Sequence, residues 1–138
     1  MSSSPTVIPA TGEVVTEFFQ RFGAGDRAGT LALFAPDVDF LVQGAPFVPW
    51  SGARSTPEQI EAFLVSTQEE VKTEQFAVDA TLVDGADAVV LGSFTHRVLR
   101  TDKAFSSRFA LHVTVADGLI IRYHMFEDSY AIAQAFTA

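Results

Sequence analysis

The dipeptide Asp117-Gly118 constrains this chain more than any other feature. It sits between two runs rich in β-branched and aromatic residues, RFALHVTVA and LIIRYHMFE. Both central residues of a type I′ turn need positive φ, which Gly adopts freely and Asp tolerates, so the pattern predicts a tight hairpin. A two-residue turn also sets the register. Ala116 then faces Leu119, Thr114 faces Ile121, His112 faces Tyr123, Ala110 faces Met125 and Arg108 faces Glu127. Strand side chains alternate, so these residues share one mixed polar face. Phe109, Leu111, Val113 and Val115 share the other, mostly apolar face with Ile120, Arg122, His124 and Phe126.

Upstream, Val14, Val15, Phe18, Phe19 and Phe22 recur at helical spacing, which predicts an amphipathic helix over Glu13 to Phe22. Gly23 and Gly25 stop it. A short helix is expected from Arg27 to Phe34, closed by Pro36, and a strand from Val38 to Val42. The Pro- and Gly-containing stretch Gln43 to Ala53 reads as a loop carrying Trp50. Thr56-Pro57-Glu58-Gln59 is a helix start, with Thr56 as cap, Pro57 at the first helical position and Gln59 completing a capping box. From Phe76 the period changes to that of strands: Phe76 to Val83, Ala88 to Leu99, Ala104 to Val115 and Leu119 to Glu127. Ser129 to Phe136 closes the chain as a helix or turn. The order predicts an α+β fold with helices packed on a curved antiparallel sheet.

The chain has 138 residues, 48% of them hydrophobic, including thirteen Phe. That suits one globular domain over 11–138, with residues 1–10 as a flexible lead-in that lacks the pattern of a signal peptide. A net charge of −8 argues against nucleic acid or membrane as partners, both of which attract basic surfaces. Without cysteine there are no disulfides, thiolate metal sites or thiol nucleophiles. No apolar run approaches the roughly 18 residues of a membrane helix. The cytoplasm is the expected compartment.

Three stretches carry a family resemblance: FFQRFGAGDRAGTLALFAPDVDF (Phe18 to Phe40), WSGARSTPEQIEAF (Trp50 to Phe63), and Phe109 to Phe136 with its V-x-D-G-x-I and Y-x-x-F-E-D patterns. In this order they resemble the NTF2-like superfamily, and within it the SnoaL-like and ketosteroid-isomerase-related group. The resemblance implies a cone, with three N-terminal helices on the concave face of the sheet and a pocket inside. It further implies that the mixed hairpin face, with Arg108, Ala110, His112, Thr114, Tyr123, Met125 and Glu127, looks inward. The apolar face would then pair two copies as a homodimer. Composition alone would place that apolar face on the core instead.

The reactions of the group fit poorly. A steroid-isomerase-like site needs a carboxylate base, a tyrosine and a protonated acid. Val42, Phe18 and Ala110 stand at the matching positions. In an epoxide-hydrolase-like site Arg97 matches the arginine. Leu99 and Met125 replace its two aspartates, and Phe40 and Val42 its water-holding residues. The acid of SnoaL-like cyclases again falls on Met125. His112 and Glu127 are the remaining candidates for acid–base work, since such catalysis needs only a titratable group within reach.

His112 opposite Tyr123 reads equally as a structural pair, and Arg108 opposite Glu127 as a cross-strand ion pair. The three histidines do not suggest a metal, because His124 pairs with Leu111 on the face opposite His112. Asp128 is expected to cap the last helix, and Trp50, in its Pro- and Gly-containing loop, to act as a pocket lid or a packing anchor. No cofactor is implied. The expectation is a pocket walled by Phe18, Phe40, Val42, Trp50, Tyr123 and Met125, with Arg97, Arg108, His112 and Glu127 as polar points. It would bind a small apolar, polycyclic or terpenoid-like molecule. The protein would then be a diverged isomerase or cyclase, a non-catalytic binding protein, or a structural dimer with a filled cone.

Overall fold

A computed structural model describes residues 8–138; the first seven residues of the expected lead-in lie outside them. The elements follow in the expected order with one strand added: α1 (Thr11–Gly23), α2 (Arg27–Leu31), β1 (Phe34–Val42), β2 (Gly52–Arg54), α3 (Pro57–Glu69), β3 (Val71–Asp84), β4 (Asp87–Val98), β5 (Lys103–Ala116), β6 (Leu119–Glu127) and α4 (Ser129–Phe136); β2 lies at the end of the stretch expected to be a loop. The six strands form one curved, open sheet in the order β2-β1-β6-β5-β4-β3. All pairings are antiparallel except β1 with β6, which run parallel, so the sheet is mixed and not wholly antiparallel as expected. Helices α1 and α3 pack on its concave face, and α2 packs against both of them.

The local signals act as their chemistry requires. Thr56 Oγ1 accepts from the Gln59 N–H, and Gln59 Oε1 accepts from the Thr56 N–H, each at 3.3 Å. Asp128 Oδ1 caps α4 through the Ala131 N–H at 3.0 Å. The second helix is shorter than expected, and Phe34 already belongs to β1. Pro36 falls in the stretch of β1 where the ladder with β6 is interrupted, between Phe34 and Asp39. A residue without an N–H is tolerated there.

The Asp117-Gly118 turn forms as expected, with φ of 52° and 77°, and Ala116 faces Leu119. One pair further on, Val115 faces Ile120, but Thr114 faces Arg122 rather than Ile121. Ile121 is the extra residue of a β-bulge, and a one-residue slip sends every later side chain to the opposite face. The pairs beyond it are Val113 with Tyr123, His112 with His124, Leu111 with Met125, Ala110 with Phe126 and Phe109 with Glu127. The expected facing is therefore corrected on β5. Phe109, Leu111 and Val113 are buried inside the cone, while Arg108, Ala110 and His112 look outward. On β6, Tyr123, Met125 and Glu127 do face inward. Composition located the inner face of β5 correctly and the resemblance that of β6, because the bulge lies between them.

The core joins this face to the helices. Phe40 stacks on Tyr123 with ring centres 4.6 Å apart and planes 5° from parallel, and Phe18 and Phe63 close on the same pair at 5.5 and 6.0 Å. Gly92 on β4 permits a close approach: an added Cβ would lie 2.3 Å from the Ala77 carbonyl oxygen and 2.6 Å from the Phe109 ring.

Candidate functional site

Between α1, α3 and the inner sheet face lies a cavity of about 450 Å³, within the range that holds small-molecule ligands. Helix α1 supplies Phe18, Phe19 and Phe22, helix α3 supplies Phe63, Thr67 and Gln68, and β4 supplies Phe94 and His96. Strands β1 and β6 supply Val42, Tyr123, Met125 and Glu127, and Trp50 closes the wall from the β1–β2 loop.

Among the described residues, Glu127 is the only carboxyl on this wall, and no Lys or Arg lines it. Trp50 Nε1 donates to Glu127 Oε2 at 3.2 Å, a contact between residues 77 apart in sequence. Burial pushes the Glu127 carboxyl up from 4.5 to about 7, against the smaller opposing effect of the indole hydrogen bond. A group so placed exchanges its proton near neutrality. The two other titratable side chains on the wall stay neutral there. Burial draws His96 down to about 4. Burial, and secondarily the charge of Glu127, raises the Tyr123 phenol well above its usual range. His96 stacks on Phe94 at 4.4 Å, and its buried Nδ1 has no hydrogen-bond partner among the described residues.

Of the residues expected at the site, Phe18, Val42, Trp50, Tyr123, Met125 and Glu127 are brought together around this cavity. Phe40 lies behind the wall, 1% exposed, and supports Tyr123 from its stacked position. Arg97 is on the outer face, where it bonds Glu74 at 3.0 Å and the Asp102 carbonyl at 2.8 Å. Arg108 is also on the outer face, so its expected pairing with Glu127 does not form; Phe109 holds that register position.

The placement of His112 is corrected in the same way. Its Nε2 lies 2.8 Å from Asp87 Oδ1, an oxygen that also accepts from Thr114 Oγ1 at 2.7 Å. Thr114 and then His112 hold the Asp87 carboxyl below the usual range. Beside it, His124 Nε2 is 2.9 Å from Asp39 Oδ1, close enough for an ion pair but off the line of a good hydrogen bond. His112 and His124 thus share the outer face, contrary to the expected register, and His96 is the histidine set apart inside the cone. Among the described residues no group of three or more His, Asp or Glu is placed to hold a metal ion.

The match of β5 to the family reactions also changes. Ala110 points outward, and its inward neighbours Phe109 and Leu111 are apolar, so the acid is still missing from that strand. The sequence reading missed Phe19, Phe22, Phe63, Phe94 and His96 as wall residues. For Phe94 and His96 the signal was the alternation Phe94, His96, Val98 along β4, and for Phe19, Phe22 and Phe63 it was the helical spacing of the apolar faces of α1 and α3.

Comparisons with known proteins agree with this architecture. The family model described as a SnoaL-like domain matches residues 15–123. An uncharacterised protein of Mycobacterium tuberculosis is 28% identical over 126 residues, covering 91% of this chain and 95% of that one. An NTF2-like protein of Burkholderia xenovorans superposes with a TM-score of 0.85 at 24% identity, over 95% of this chain and all of the other. A candidate SnoaL-like polyketide cyclase of Mesorhizobium loti superposes with a TM-score of 0.70 at 18% identity, over 86% and 99% of the two chains.

Proposed function

This chain belongs to the SnoaL-like family of the NTF2-like superfamily, and from that premise we propose that it binds a small, largely apolar, ring-bearing molecule inside its cone. The observation that carries this reading is the aromatic cavity of about 450 Å³ with a single carboxyl, Glu127, on its wall. Its volume suits a polycyclic or terpenoid-like body, and the space left between Phe18, Trp50 and Met125 argues against a cone packed solid. Trp50 is the only tryptophan of the chain, so its fluorescence reports on the cavity directly. Titration with camphor, a neutral bicyclic terpenoid, is expected to change that fluorescence saturably. An unchanged signal, with no broadening of camphor resonances in ligand-observed NMR, refutes the reading.

A second reading, proton-transfer catalysis of the isomerase or cyclase type, is favoured by one observation. Glu127 is half-buried beside Trp50, with its carboxyl raised to near neutrality, where a general acid–base is most effective. Glu127 takes the role that the sequence shared between it and His112. Exchange of the camphor α-protons in heavy water, faster with wild type than with Glu127→Gln, is the test; equal rates exclude catalysis by this residue.

A homodimer through the outer sheet face belongs to the same proposal; of the residues first expected there Phe126 remains, while Phe109, Leu111 and Val113 are replaced by Leu91 and Ala110. Leu91, Ala110 and Phe126 form one row across β4, β5 and β6, with Leu91 38% and Phe126 46% exposed. Light scattering of the eluting protein distinguishes a dimer from a monomer. No helix among the described residues is long and apolar enough to cross a membrane; a cytoplasmic location is part of the same proposal.

A further inference from the structure

The charge inside the cavity is one-sided. Among the described residues, Glu127 is the only lining group that can carry charge near neutral pH, and no cation on the wall balances it. Proteins that bury a carboxylate usually pair it, because an isolated buried charge is costly. Here the partner is a neutral indole N–H. The nearby guanidinium of Arg54 approaches the Phe63 ring at 5.9 Å but donates to the carbonyls of Gln59 and Pro49 and does not line the cavity. Strands β4 and β6 contribute His96 and Tyr123, both neutral at pH 7, and α1 and α3 contribute no titratable group to the wall.

The rest of the wall is suited to the missing charge. Eight aromatic rings surround the same space, among them Phe18, Phe63 and Tyr123. An aromatic face carries a negative quadrupole and attracts a cation most strongly where water is excluded. A neutral ligand would use the rings only as apolar area and would leave Glu127 to be neutralised by taking up a proton. An anionic ligand would meet Glu127 with nothing to offset it. The chain's net charge of −8 raises the local concentration of cations and opposes anions.

We propose that the cavity takes a small hydrophobic amine, an ammonium nitrogen placed between the Glu127 carboxylate and the aromatic wall, with the hydrocarbon body filling the remaining volume. This rests on the cavity-binding reading and is independent of the catalytic one. No bond is made or broken; the ligand supplies the counter-ion that the wall lacks.

The test compares phenyltrimethylammonium with tert-butylbenzene, which has the same shape without the charge. Both are titrated at pH 8 against the full chain, with Trp50 fluorescence and calorimetry as readouts. The ammonium ion is expected to bind about tenfold or more tightly than its isostere, the scale of a desolvated cation–π contact with an added ion pair. Glu127→Gln is expected to remove about tenfold of the ammonium affinity and leave the isostere within about threefold, which also shows that the variant is folded. If Glu127→Gln does not fold, wild-type affinity from pH 5.5 to 8.5 decides. The ammonium ion must gain about tenfold as Glu127 ionises while the isostere stays level. Equal or tighter binding of tert-butylbenzene overturns the amine proposal and leaves the apolar-cavity reading standing. Binding of neither molecule overturns both.

Discussion

Glu127 makes the stability of this protein depend on pH in a direction opposite to that of most carboxylates. Its carboxyl rises from 4.5 to about 7 on folding because burial penalises the charged form. Between those values the folded chain holds a proton that the unfolded chain has released. Stability therefore falls as pH rises from about 4.5 to 7 and levels off above. Each pKa unit corresponds to about 1.4 kcal/mol, so the whole span amounts to about 3 kcal/mol. Between pH 5 and 8 the expected loss is between about 2 and 3 kcal/mol, since part of the span lies below pH 5.

Glu127→Gln isolates this contribution from every other titrating group. The amide keeps an acceptor for Trp50 Nε1 and carries no titrating proton. Urea denaturation followed by circular dichroism, at pH 5 and pH 8 for both proteins, gives the double difference. Glu127→Gln should gain on wild type by between about 2 and 3 kcal/mol from the lower pH to the higher. A difference that stays constant within about 0.5 kcal/mol over that interval would falsify the claim that burial controls this carboxyl, since it would mean that water reaches Glu127 freely.

Three further outcomes follow from the packing. His112→Ala should leave camphor and ammonium titrations within about twofold of wild type, because the side chain bonds Asp87 on the outer face and does not touch the cavity; a larger loss would contradict the outward facing of His112. Gly92→Ala should destabilise the fold by about 3 kcal/mol or more in urea, at the top of the range for overpacking, because the new Cβ meets backbone at the Ala77 carbonyl as well as the Phe109 ring. Asp128→Ala removes the oxygen that caps α4 and should cost about 1 kcal/mol, read by the same denaturation.

Much of the fold was legible because its signals are local. Thr56, Pro57 and Gln59 start α3 where the capping chemistry requires, and Asp128 caps the last helix. The Asp117-Gly118 turn has the positive φ values that its residue types favour. The candidate site was legible in part. Phe18, Val42, Trp50, Tyr123, Met125 and Glu127 were named and do meet. His112 and Arg108 were placed on the wrong face by a register carried unbroken past Ile121. The slip left a trace in the sequence: apolar residues on β6 change parity from Ile120 to Tyr123 and Met125, while Phe109, Leu111 and Val113 hold one parity along β5. Two strands that must bury these sets on one face can do so only if one residue is left out of the ladder.

The sequence by itself determined the order of the helices and long strands, the turn that joins the last two, and part of the wall of the cone. Each depends on interactions within a few positions, where propensity, capping and alternation act directly. Only the tertiary structure decided that the bulge at Ile121 turns His112 outward, and that Trp50 and Glu127, far apart along the chain, meet at 3.2 Å. It also placed Glu127 on a wall with no cation. Burial and charge environment are set by which segments pack against a side chain, and no stretch of nearby residues contains that information.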